Sequence, residues 1–140
     1  MLSYTLAAVT PAEASAYVAA RALTGWPVDE PAQAAALRRG QDAIARDYNE
    51  RWADEWGNDD PPELVKFAII EAGVVEARDP GFLTRVVKAS DAKMLTRVGD
   101  IGWTPVPGPG GVEALRPRLL HVEAMLAPLL RSRAMFLLRA

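Results

Sequence analysis

Cysteine is absent from the 140 residues, and histidine occurs once, at His121. The first absence excludes disulfides, zinc-thiolate sites and a cysteine nucleophile, so nothing points to an oxidising compartment. The second excludes a metal site built from several imidazoles. Lysine is scarce as well: only Lys66, Lys88 and Lys93. No apolar run approaches the ~18 residues that a membrane-spanning helix needs. The opening Met1–Val9 is too short for a signal peptide and lacks a basic stretch. The expectation is a soluble protein made in a cytoplasm, with no membrane partner.

What is present is ordinary globular composition, 50% apolar and 24% charged. A chain of this length fits a single domain, 1–140, and can bury a core without covalent staples. The net charge of −2 conceals an asymmetry. Residues 1–114 carry 11 basic and 17 acidic side chains, whereas 115–140 carry five arginines and only Glu123. The C-terminal part therefore meets different surroundings from the rest, or simply ends in a solvated basic helix.

Four helices are legible. Thr10-Pro11-Ala12-Glu13 is a capping box with proline at the first helical position, and Ala14, Tyr17, Val18 and Ala22 follow at helical spacing as far as about 23. The second helix begins at Pro31, capped by Asp29 or Glu30, and is expected to run to Trp56. Leu37, Ile44, Tyr48, Trp52 and Trp56 form its stripe. Gly40 inside it costs about 1 kcal/mol relative to alanine, unless it permits close packing. The third follows Asn58-Asp59-Asp60-Pro61-Pro62, where an Asp caps it and the prolines begin it, and is apolar nearly all round from Leu64 to Val75, which marks a central core helix. The last begins near Arg116-Pro117, and Pro128 kinks or ends it.

Between the third and last helices the character changes. Leu83–Ala89 and Met94–Val98 are rich in β-branched residues, and Gly99–Gly111 is dense in glycine and proline. These features predict an excursion over about 82–112 with short strands within 83–104, ending in a Pro/Gly segment. The fold class is thus mainly α: a small bundle of about four helices with a protruding loop or short β-hairpin between the third and last. A hairpin with no core of its own is marginal in water. Val86, Val87, Leu95 and Trp103 are therefore expected at a contact between subunits, where Trp103 would serve as an anchor.

Candidates for catalysis are few. His121 stands beside Val122 and Glu123, and no nucleophile–base set can be argued around it. The glycines at 108, 110 and 111 sit among prolines, not ahead of a phosphate-binding helix. The acids Asp54, Glu55, Asp59, Asp60 and Glu63 lack calcium-loop spacing. No cofactor or metal is expected, and the chain does not read as an enzyme. The tail, residues 131–140, holds Met135, Phe136, Leu137 and Leu138 between Arg131, Arg133 and Arg139. An exposed apolar cluster of this kind marks a contact with another protein. The other reading of the same residues is a last turn docked on its own core.

The order of these features resembles a known family. It begins with Ala14-Ser15-Ala16-Tyr17, then the run from Ala34 to Ile44 with Tyr48 and Trp52 downstream. Next come Pro62 to Ala72, a strand-rich excursion, and Val122 to Arg131. The pattern, over roughly 10–131, resembles the tailed-phage head–tail connector (adaptor) family, whose members are often labelled DnaT-like single-stranded-DNA-binding proteins. The resemblance implies a virion protein assembled in the host cytoplasm. Commonly about twelve copies form a ring under the portal protein. The tail would reach the portal through Arg131, Arg133, Met135, Phe136, Leu137, Leu138 and Arg139. The other face would receive the next neck or tail-completion protein, and double-stranded DNA would pass through the bore without sequence-specific contact. A cellular gene-transfer particle would use the same part. The alternative is a single-stranded-DNA-binding accessory protein, but sequence-independent binding needs several phosphate contacts from Lys and Arg, and the body is acidic.

Overall fold

The computed structural model describes residues 1–87, the backbone of 93–97 and 102–105, and 114–131. The chain divides into two compact units: Met1–Phe82 together with the chain from Leu119, and Leu83–Arg118. The first unit is a small bundle of four helices, α1 (Pro11–Ala20), α2 (Glu30–Tyr48), α3 (Glu63–Arg78) and α4 (Leu120–Leu126). The fold is mainly α, as the helical periodicity requires.

Each helix begins for a local reason. Thr10 caps α1 by accepting from the Glu13 amide at 3.2 Å, and the Glu13 carboxylate accepts from the Thr10 amide at 2.8 Å. Asp29 caps α2 by accepting from the Ala32 amide. The cap expected of Asp59 or Asp60 on α3 does not form. Pro62 occupies that position, and its carbonyl receives the Val65 and Lys66 amides. Among the described residues, no helix is long and apolar enough to cross a membrane.

The core lies around α3. Val65, Ala68, Ile69, Ile70, Ala72 and Val74 are buried, against Ala36, Leu37 and Ile44 of α2, Ala14 and Val18 of α1, and Val122 and Leu126 of α4. Gly40 is where α2 and α3 touch. A Cβ there would stand 2.6 Å from the Gly73 nitrogen and 2.8 Å from the Ile69 carbonyl oxygen, so only glycine allows this approach. Glu76 is wholly buried; its carboxylate receives the Arg39 guanidinium of α2 at 3.0 Å and the Gly81 amide at 2.7 Å. This holds the turn that leaves α3.

Two helices end earlier than their sequence patterns suggest. α1 stops at Ala20, where Ala22 takes a positive φ of 50° and the Leu23 amide returns to the Val18 carbonyl. α2 stops at Tyr48, not Trp56, and continues as one 3-10 turn, Asn49–Arg51. The Asn49 side chain has long-range partners instead. Its oxygen accepts from the Leu2 amide and the Trp52 indole, and its amide donates to the Leu2 carbonyl. Trp52 then extends and forms an antiparallel bridge with Leu130, flanked by Ala53 amide to Leu129 carbonyl and Arg131 amide to Arg51 carbonyl. Trp52 is buried, as a core residue, with Tyr48 and Trp56 against it.

Residues 2–9 are strapped to α2 by buried Gln41. Its oxygen accepts from the Ala8 amide, and its amide donates to the Ser3 and Leu6 carbonyls. α4 begins at Leu120, after the Arg116-Pro117 start that the sequence favours, and Pro128 converts its end to a 3-10 turn, Ala127–Leu129.

In the second unit, β1 (Lys93–Arg97) pairs antiparallel with β2 (Gly102–Pro105). Leu95 lies opposite Trp103, and a bulge follows between Leu95 and Arg97. The second strand falls at the end of the 83–104 span in which short strands are expected, just where glycine and proline become dense. Trp103 and Thr104 are strong strand formers, and Pro105 occupies the strand end, where a missing N–H costs little. Leu83 belongs to a 3-10 turn, Phe82–Thr84, and not to a strand.

Candidate functional site

The residues expected at a subunit contact share the second unit. Val86 is 78% exposed, which leaves its side chain open to a partner. Val87 is half-buried. The backbone register sets Leu95 and Trp103 directly opposite each other across the strand pair. Of the residues expected to bind a portal, Arg131 is exposed, and its backbone amide is tied to the Arg51 carbonyl. Arg133, Met135, Phe136, Leu137, Leu138 and Arg139 lie outside the described residues.

A third surface was not legible in the sequence. α1 and α3 enclose an open groove of about 580 Å³ whose walls include Val9, Tyr17, Phe67 and Ile70. That volume is within the range of clefts that hold small ligands or a few side chains. The Tyr17 and Phe67 rings pack 4.8 Å apart, tilted, and the Arg21 guanidinium lies 3.6 Å from the Tyr17 ring centre. Lys66 and Glu13 pair across the edge at 3.1 Å. Glu13 is held below the usual carboxylate range, chiefly by the Thr10 amide, with Lys66 adding to the effect. Tyr17 reads correctly as a position on the apolar stripe of the first helix, and Phe67 as part of the all-round apolar run of the third. The signal that Phe67 meets Tyr17 and Arg21 is absent from any local window, because those contacts span about fifty positions.

Beside the groove, the Tyr17 hydroxyl donates to Glu71 at 2.9 Å, and His121 Nε2 lies 3.6 Å from the other Glu71 oxygen. Burial first, then Glu71, pushes the Tyr17 phenol up to about 12. It is therefore a fixed hydrogen-bond donor at neutral pH and is not poised as a base. His121 is about half exposed on α4, a surface position as its sequence neighbours suggest. Among the described residues, no cluster of three or more His, Asp or Glu side chains is placed to hold a metal ion.

Family models, curated proteins and solved structures were each compared with the chain, and none matches.

Proposed function

We propose that the chain is a structural head–tail connector subunit, one of a ring that joins a portal to the downstream neck and lets DNA pass, in a phage virion or a gene-transfer particle. The observation that carries this reading is the element order. A helical bundle is interrupted between α3 and α4 by a separate compact unit containing an antiparallel strand pair. That is the arrangement the family resemblance implies. Exposed Val86 supports a contact made by this unit with a neighbouring copy. In a ring such contacts are heterologous, and closure limits their number. The tail beyond Arg131 anchors the ring to the portal, and the reading assigns the chain no catalytic step, cofactor or sequence-specific DNA contact.

The test is assembly. Native mass spectrometry and negative-stain microscopy of the purified chain, alone and with the portal of the same particle, should show rings. Deleting residues 84–104 should leave a folded monomer that no longer enters them. Ending the chain at Arg131 should leave rings that no longer join the portal. A protein that stays monomeric with the portal, and instead shifts labelled single-stranded DNA with a steep salt dependence, overturns the connector reading in favour of the accessory-protein one.

A further inference from the structure

We propose that Arg51 and Arg131 together receive a single carboxylate of a partner protein, and that filling this site fastens the C-terminal chain to the bundle. The two residues stand eighty positions apart in sequence and meet because Trp52 bridges Leu130. On one side of that antiparallel bridge Arg51 and Arg131 are opposite each other, joined by the hydrogen bond from the Arg131 amide to the Arg51 carbonyl at 2.9 Å. Residues opposed in this way have Cα atoms about 5.5 Å apart in a regular antiparallel pair, so two long arginine side chains can reach one oxyanion. Like charges so placed repel. Both side chains are exposed, and neither forms an ion pair with any described residue. The Arg51 guanidinium lies 5.2 Å from the centre of the Tyr48 ring, and Tyr48 is buried, so one of the two cations has a fixed support. The group that compensates both is an anion shared between them, bound by charge-assisted hydrogen bonds.

The neighbouring charges select the kind of anion. Arg46 is committed to Asp47 at 2.8 Å, and Glu50, Asp54 and Glu55 are exposed and form no ion pair with Arg51 or Arg131. Residues 46–55 with Arg131 therefore carry three cations and four acids. A nucleic acid, with its closely spaced phosphates, would meet those acids along with the two arginines. A single carboxylate needs only the pair. The partner that fits is a protein surface on which one exposed Asp or Glu is flanked by neutral or basic side chains, which the surrounding acids then favour. A shared anion removes the repulsion between the two side chains while the bridge is closed. Binding and bridge closure are thus linked, and each strengthens the other. Naming the portal as the partner rests on the connector reading, where Arg131 is already a portal contact; the pair itself does not.

The test is arginine side-chain NMR on the full chain. The probe is N-acetylglutamate N-methylamide, which carries one carboxylate, with its glutamine analogue and sodium chloride at matched ionic strength as controls. The Nε–Hε signals of Arg51 and Arg131 should move together and saturate at one midpoint. That midpoint should lie about fivefold or more below the one for Arg21, which is exposed and ring-stacked but is not opposed across a bridge. The Arg131 amide should exchange with deuterium severalfold more slowly once the site is filled. Arg51→Gln should abolish the saturation at Arg131 and the effect of the probe on its amide. If Arg51→Gln fails to fold by circular dichroism, Arg131→Gln takes its place and Arg51 is read instead. Separate or unsaturated responses of the two arginines overturn the proposal, as does an Arg131 amide that ignores the probe. Tighter binding of oligothymidine at the same pair overturns it in favour of nucleic acid. In the ring assay, Arg51→Gln rings should capture the portal about tenfold more weakly. Undiminished capture overturns the portal as the source of the carboxylate. Wild-type chains that form no rings count against the connector reading alone, and the titration still decides the pair.

Discussion

Gly40 of α2 and Gly73 of α3 face each other at the helix crossing, so close that a methyl group on Gly40 would sit 2.6 Å from the Gly73 backbone nitrogen. The two glycines are not equivalent. A Cβ on Gly73 meets the Leu37 side chain at 3.3 Å, and that side chain can give way.

Gly40→Ala should therefore destabilise the protein although alanine is the better helix former. The intrinsic gain of about 1 kcal/mol is outweighed by overpacking against backbone, leaving a net loss of about 1–3 kcal/mol. Gly73→Ala should be nearly neutral. Urea denaturation of the two variants checks the order.

Ile69 is wholly buried and Ile70 nearly so, in the helix that the other three pack around. Ile69→Ala should cost about 2–5 kcal/mol. A negligible loss in thermal or urea unfolding would move the core away from α3.

Gln41→Ala removes the partner of the Ala8 amide and of the Ser3 and Leu6 carbonyls. Each group left unsatisfied costs about 1–3 kcal/mol unless water reaches it. The expected result is release of residues 2–9 from α2, seen as new limited-proteolysis cuts in that stretch while α2 and α3 stay protected.

Tyr17 links pH to stability at the alkaline end. Its folded pKa, about 12, lies above the ordinary value of 10 for the unfolded chain. The contribution is fully present below pH 10 and is lost as pH rises from 10 through 12. Wild-type stability should therefore fall more steeply over that range than that of Tyr17→Phe. Ultraviolet titration should show a late tyrosine ionisation whose amplitude falls by one tyrosine in Tyr17→Phe.

Much of the bundle was legible because its signals are local. Thr10-Pro11-Ala12-Glu13 and Asp29 carry their caps within three residues, and the all-round apolar run from Leu64 to Val75 announces a buried helix. Gly40 was legible as an anomaly whose cost required close packing to offset it. The second helix was overextended because Trp52 and Trp56 continue its four-residue stripe. Their real partners, Leu2 through Asn49 and Leu130 through the bridge, lie about fifty to eighty positions away. The same distance in sequence hid the groove: Tyr17 and Arg21, at the end of α1, meet Phe67 of α3 only in the tertiary fold. In the second unit, Met94–Val98 announced β1, whereas its partner was masked by the glycine and prolines that bound Trp103 and Thr104.

The stretch 49–58 fastens both ends of the described chain. Asn49 holds Leu2, the Trp56 carbonyl receives the Met1 ammonium, Asn58 accepts from Ser3, and Arg51 and Ala53 bracket the bridge to Leu130. None of these contacts involves a long helix, so the buckle can open while α2 and α3 remain intact. Opening it frees Leu2 and the Leu130 bridge in a single event, while Gln41 still holds Ser3, Leu6 and Ala8 on α2. The amides of Leu2, Ala53 and Arg131 should then exchange with solvent deuterium at a common opening free energy, lower than that of Ile69, and any variant that loosens one end should loosen the other equally.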